Sequence, residues 1–140
     1  MSERVRGALR SAVAIRARGR CEYCGMPDDV LPIPHEPDHV VAAQHGGQTT
    51  LDNLAYTCFR CNRYKGPNLA SIDPQTGIVT QLFNPRTDVW GQHFAWDAAE
   101  IMPLSAIGRA TQALLRFNDP ERISLRTQLI QQGRYFHPSS

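Results

Sequence analysis

Two Cys-x-x-Cys pairs, Cys21/Cys24 and Cys58/Cys61, have thirty-three residues between them and use all four cysteines of the chain. Each pair bends the backbone so that two thiolates converge on one ion. Two such knuckles complete a tetrahedral all-sulfur set, the donor set that selects Zn²⁺. The competing readings are two disulfides or a redox pair; a cytosolic chain disfavours the first and duplication of the pair disfavours the second. A four-cysteine zinc has no open coordination position, so it holds structure and does no chemistry. Any reactive centre has to be built from other residues.

At 140 residues the chain has room for one domain, 1–140, with a modest core that gains from such a staple. No apolar run approaches the roughly 20 residues that span a bilayer, so no membrane partner is expected. The longest apolar stretch near the N-terminus, Ala12 to Ile15, is too short for a secretory signal, which makes the cytoplasm the expected compartment. The net charge of +2 is unevenly spread: six arginines face one glutamate in the first twenty residues. Arg4, Arg6 and Arg10 therefore make a candidate phosphate-binding surface, and a solvated helix face explains the same charge equally well. Lys65 is the sole lysine among fifteen basic residues.

Residues 4–18 have near-helical apolar spacing and Gly19 as a stop, which predicts a basic N-terminal helix. His39 to Ala43 suits a strand, Gly46-Gly47 breaks it, and Leu54 to Thr57 suits a second strand pairing back. A helix is expected from Phe59 to about Tyr64. Asp73 to Gly77 is a turn signature, Ile78 to Phe83 a hairpin strand, and Trp90 to Trp96 an aromatic segment packing on the core. Two helices close the chain, one capped near Ser105 and running to about Phe117, the other opened by Asn118 or Asp119 with Pro120 at its first position and reaching Gln132. Ile107, Ala110, Leu114 and Phe117, with Leu125 and Leu129, offer either a homodimer surface or a face packed on the chain's own core. Residues after Gly133 are expected to fray.

Beside the knuckles lie Asp38-His39-Val-Val, Gly46-Gly47, Leu51-Asp52-Asn53-Leu54 and Cys58-Phe-Arg-Cys61-Asn62-Arg63-Tyr64-Lys65-Gly66. The segment Cys21 to Gly66 resembles the HNH nuclease family, in which two antiparallel strands and a helix cup a divalent metal, often laced by two Cys-x-x-Cys pairs. The resemblance implies an α+β fold: a small ββα-metal core over about 20–68 with a structural zinc, flanked by the N-terminal helix and by a hairpin and helical extension over 69–133. The stretch Leu69 to Trp96, with Phe83-Asn84-Pro85-Arg86, is similar to extensions of stand-alone bacterial HNH proteins. Asn62 stands where the family most often has a second metal-binding histidine, so the set resembles the His-Asn-Asn version found in some RNA-guided nucleases.

Hydrolysis of a phosphodiester needs an activated water, a cation to take up growing negative charge, and fixed geometry. His39, near pKa 6.5 when unperturbed, is the natural base. Asp38 supplies a hard oxygen for Mg²⁺ or Mn²⁺, and Asn62 a second ligand whose loss of an imidazole favours those same hard ions. Adjacent residues on a strand face opposite ways, so Asp38 and His39 serve one site only if the strand bends or ends there. Asn53 orients the imidazole through its amide or through the loop that carries His39. Arg60, Arg63 and Lys65 are expected beside the phosphate, or else on a solvated face; His35 and His45 are read as solvated loop residues or phosphate neighbours and His93 as packed. These residues point to an endonuclease acting on DNA, with a non-catalytic zinc knuckle that binds nucleic acid or protein as the alternative.

Overall fold

The computed structural model describes residues 5–135. Helix α1 (Gly7–Arg16) leads to an antiparallel hairpin of β1 (Glu36–His39) and β2 (Leu54–Thr57), and α2 (Phe59–Lys65) follows directly. A second hairpin joins β3 (Ala70–Ile72) to β4 (Val79–Gln81), and a single turn, α3 (Trp90–His93), precedes a third, β5 (Phe94–Asp97) with β6 (Glu100–Pro103). Helices α4 (Ala106–Leu115) and α5 (Pro120–Gln131) complete an α+β arrangement of small two-stranded sheets and helices. Among the described residues no helix is long and apolar enough to cross a membrane.

Strand β1 ends at His39 instead of continuing to Ala43. Val40 N–H still donates to Asn53 O at 2.9 Å, but the next amide, Val41, is taken by the Asn53 side chain, which stops the backbone ladder. Pro37 is tolerated inside β1 because that strand pairs on one side only. Helix α1 starts at Gly7, later than residue 4, which lies outside the described residues.

The core gathers around the cysteines: Cys21, Cys24, Cys58 and Cys61 are buried with Tyr23, Phe83, Phe94, Ile101, Phe117 and Leu129. A smaller cluster under α1 holds Val13 against Leu54 and Tyr56. Ser105 caps α4 by accepting from Gly108 N–H at 3.0 Å, and Pro120 opens α5. Ala110, Phe117 and Leu129 are buried and Ile107, Leu114 and Leu125 pack against the same cluster, so the apolar face of these helices is taken up by the chain's own core. Tyr135 is ordered too, contrary to the fraying expected after Gly133. It is buried, donates to Cys24 O, and meets Trp96 edge-on at 5.6 Å; residues 136–140 lie outside the described part.

The β5–β6 hairpin was not expected from the sequence. Its tight turn is Ala98-Ala99 with Ala98 at φ 51, where glycine or asparagine usually marks the turn. The β3–β4 hairpin is tied to α4 by a paired contact: Arg109 Nε and Nη2 donate to the two oxygens of buried Asp73 at 2.9 and 2.8 Å. Asp73 also accepts from Gln75 N–H and Thr76 Oγ1–H, closing its own turn. The Arg109 guanidinium, with these donors, holds the Asp73 carboxyl well below the usual carboxylate range. A group shifted down stabilises the fold above its unfolded pKa of about 3.9 and loses that contribution as pH falls toward its folded value. Asp73→Asn is therefore expected to lower the melting temperature at pH 7, with the gap to the parent narrowing below about pH 4. Melting curves across that range check it; a gap independent of pH contradicts the ionised pairing.

Candidate active site

The first knuckle is closed by backbone bonds, Cys21 N–H to Met26 O at 2.9 Å and Gly25 N–H to Cys21 O at 2.8 Å. Gly25 sits at φ 80, where glycine carries no penalty. The second knuckle is the start of α2: Cys58 occupies the cap position, and its sulfur accepts from Cys61 N–H at 3.5 Å. What brings the two together is Glu22, whose N–H donates to Tyr56 O at 2.8 Å while its carboxylate accepts from Tyr56 N–H at 2.7 Å. The first knuckle is thereby held along β2, two residues before Cys58.

All four sulfurs lie within 4.8 Å of one another, and Cys24 Sγ is 3.7 Å from Cys58 Sγ. Four thiolates at ~2.3 Å from a tetrahedral zinc would stand about 3.8 Å apart, whereas a disulfide requires ~2.05 Å. The cluster fits Zn²⁺ and contains no disulfide. Arg122 of α5, buried at 3% exposure, reaches it from the far side: Nη2 donates to Cys61 Sγ at 3.2 Å and lies 3.9 Å from Cys58 Sγ. Burial opposes its charge, but Cys61, Cys24 and Cys58 outweigh that and push the guanidinium further up. The sequence gives no sign of this partner, since an arginine on a terminal helix reads as a solvent-facing residue.

On the other side of α2 a cleft of about 280 Å³ is lined by Asp38, His39 and Asn62, with Gln44, Gly66 and Pro67. Asp38 and His39 share it despite being neighbours because β1 stops at His39. Asn53 lies outside the cleft and holds its rim. Its Oδ1 accepts from Val41 N–H at 2.9 Å, and its Nδ2 donates to Val41 O at 2.9 Å and Gln48 O at 2.8 Å, pinning both ends of the loop between the strands. Within that loop Thr49, not anticipated from the sequence, has its Oγ1 2.8 Å from His39 Nε2.

Lys65 departs from its expected place beside a phosphate. It is 2% exposed, and its Nζ donates to Val40 O at 3.2 Å, with His39 O and Gly66 O at 3.5 and 3.4 Å. Asp38 Oδ2 lies 3.9 Å away, buried and without a hydrogen-bond partner among the described residues. Burial raises the Asp38 carboxyl above its ordinary value, opposed by Lys65 and His39; burial lowers Lys65, opposed by Asp38.

Two of the N-terminal arginines are tied into the fold. Arg10 pairs with Glu36 and donates to His35 O, and Arg16 donates to Leu51 O and Leu54 O, so both fasten α1 to the hairpin. Arg6 is exposed and Arg4 lies outside the described residues. Arg60 pairs with Glu121 at 2.9 Å, and Arg63 is exposed. His35 is fully buried, with Nε2 2.7 Å from Met26 O, and so is no solvated loop residue; His45 is exposed, and His93 packs with Nδ1 2.6 Å from Ser105 Oγ.

Residues 21–68, the stretch that holds both knuckles, the hairpin and α2, match the family model of the HNH endonuclease, so this part of the chain carries an HNH domain. No curated protein and no solved structure matches the chain.

The loop geometry depends on Gly47, where a Cβ would stand 1.6 Å from Val41 O and 2.8 Å from Asn53 Nδ2. Gly47→Ala must push apart the contacts that Asn53 makes, at a cost of about 2 kcal/mol or more. Urea unfolding checks this, and an unchanged midpoint would show that the loop is free to yield.

Proposed function

We propose that the chain is a metal-dependent endonuclease that hydrolyses phosphodiester bonds in DNA, with His39 as general base. The observation that carries this reading is the convergence of Asp38, His39 and Asn62 on one cleft within the segment that matches the HNH family. The donors suit a hard divalent cation. Asp38 Oδ2 is buried with no hydrogen-bond partner among the described residues, and Asn62, which lines the same cleft, carries a carboxamide oxygen. These two residues would hold Mg²⁺ or Mn²⁺, which when bound offsets the negative charge that grows on the phosphorane and the leaving oxygen.

His39 takes the proton from the attacking water. In the tautomer that donates Nε2–H to Thr49 Oγ1, 2.8 Å away, the free lone pair is on Nδ1, and this reading takes Nδ1 as the accepting atom. Asn53 is a positioning residue: by holding Val41 and Gln48 it fixes the loop that carries Thr49. Lys65 ties the carbonyls of His39 and Val40 from below and keeps a positive charge near Asp38, so its work is inside the site and not on the phosphate surface. The four-cysteine zinc is structural, and stripping it would unfold the segment that supplies every one of these groups. Arg63, exposed next to Asn62, and Arg6, just before α1, remain available for phosphates of the strand.

Nicking of supercoiled plasmid by the zinc-loaded protein with added Mg²⁺ or Mn²⁺ tests the proposal. His39→Ala is expected to cost about 10²-fold or more in rate while zinc content stays intact. Retention of more than about a tenth of the parent rate would remove His39 as the base. Asn62→Ala should also cut activity severely, and Asn62→Asp or Asn62→His should restore part of it with a changed metal preference. If Asn62→Ala matches the parent throughout a Mg²⁺ titration, Asn62 is no ligand.

A further inference from the structure

On the adjoining face of α2, a groove of about 780 Å³ runs between α2, the loop around Ile33 and the start of α5. Its size falls within the range of about 300–1,000 Å³ that ligand sites occupy. Three features of its lining belong together. Two apolar side chains stand exposed at its edges, Phe59 at 44% and Ile33 at 46%. The Arg116 guanidinium lies over the Tyr64 ring at 4.7 Å, a cation stacked on an aromatic face. The charge of the lining is positive: Arg60 is matched by Glu121, whereas Arg63 and Arg116 are exposed and have no carboxylate partner among the described residues.

Cations interleaved with aromatic faces are what an unpaired nucleic-acid strand meets, because a base presents its π-face only when it is out of the duplex stack. A duplex offers phosphates and base edges and would leave Phe59 unused. The groove is also joined to the cleft through a single helix. Asn62 lines the cleft, Arg63 beside it in sequence lines the groove, and Phe59 lies one turn before Asn62. A strand that leaves the cleft at Asn62 and passes around α2 reaches the groove at Arg63 and Phe59.

We propose that this groove seats an unpaired stretch of the DNA strand that is cut, with a base stacked at Phe59 and phosphates on Arg63 and Arg116. The inference rests on the nuclease reading above and narrows its substrate to DNA that is single-stranded on one side of the cleavage point, such as a flap, a branch or a free end.

Binding without Mg²⁺ or Mn²⁺ tests the groove separately from catalysis. The probes are a labelled oligothymidylate, an abasic strand of equal length, an oligouridylate and a blunt duplex, read by fluorescence anisotropy with the zinc-loaded full chain. Oligothymidylate should bind, and the abasic strand about tenfold more weakly. Phe59→Ala and Arg116→Gln should each weaken oligothymidylate by about tenfold, with zinc content and melting temperature as the check on folding. Arg116→Gln should also reduce the slope of log affinity against log salt by about 0.7. Equal affinity for abasic and thymidine strands, parent-like binding by both variants, or preference for the blunt duplex would overturn the proposal, and tighter binding of oligouridylate would overturn the DNA assignment. A protein that meets these expectations yet never nicks DNA would contradict the catalytic reading alone. One that cuts but whose strand binding ignores both variants would contradict the groove alone.

Discussion

Convergence of four sulfurs at one point is the constraint on which the rest of this structure depends. Cys21 and Cys24 arrive from a loop held along β2, Cys58 and Cys61 from the first turn of α2, and Arg122 brings α5 against the same cluster. A zinc site contributes about 10–16 kcal/mol in small peptides, as much as the roughly 5–15 kcal/mol that separates a typical folded domain from its unfolded chain. A buried cluster of four thiolates on one Zn²⁺ carries net negative charge, and burying it without a counter-charge is costly. Arg122 supplies that charge and a hydrogen bond to sulfur together, while also satisfying the end of α4 through Leu115 O and Arg116 O.

The cleft is a consequence of the same clasp. Because Cys61 is fixed inward, the neighbouring position Asn62 turns toward β1, and Lys65, one turn on from Cys61, is drawn beneath the end of that strand. The strand must end there for Asp38 and His39 to face one space. Asn53 ends it with a side chain that imitates a strand partner, at a point where only glycine at position 47 leaves room for Val41 O. The side chains that line the cleft thus stand on short elements held at both ends, which keeps their relative geometry fixed.

How much of this was legible in the sequence follows from the range of the interactions involved. The cysteine pairs, the β2–α2 junction, the cap at Ser105 and the helix-opening Pro120 carry local signals, and the structure has them where those signals lie. The Asp38-His39 pair and Asn62 were legible through the spacing around the knuckles, and the structure brings them to one cleft. The early end of β1 was not, because it depends on a side chain twelve residues away from Val41. The turn at Ala98-Ala99 lacks the residues that announce a hairpin. Charge was the least legible feature: Arg10, open to either a phosphate surface or a solvated face, pairs with Glu36 and fastens α1 to the hairpin, and no local signal marks Arg122 and Arg126, which are buried. Lys65 is a further case, because charge in a sequence says nothing of which carbonyls will surround it.

Anomalous diffraction from crystals of the full chain grown with zinc and soaked in Mn²⁺ tests the central claim most directly, since it locates both ions at once. The account predicts a zinc peak about 2.3 Å from the sulfurs of Cys21, Cys24, Cys58 and Cys61, and a separate manganese peak bonded to Asp38 and Asn62 in the cleft that His39 lines. Manganese at the sulfur cluster, or bound elsewhere with Asp38 and Asn62 bare, would contradict it.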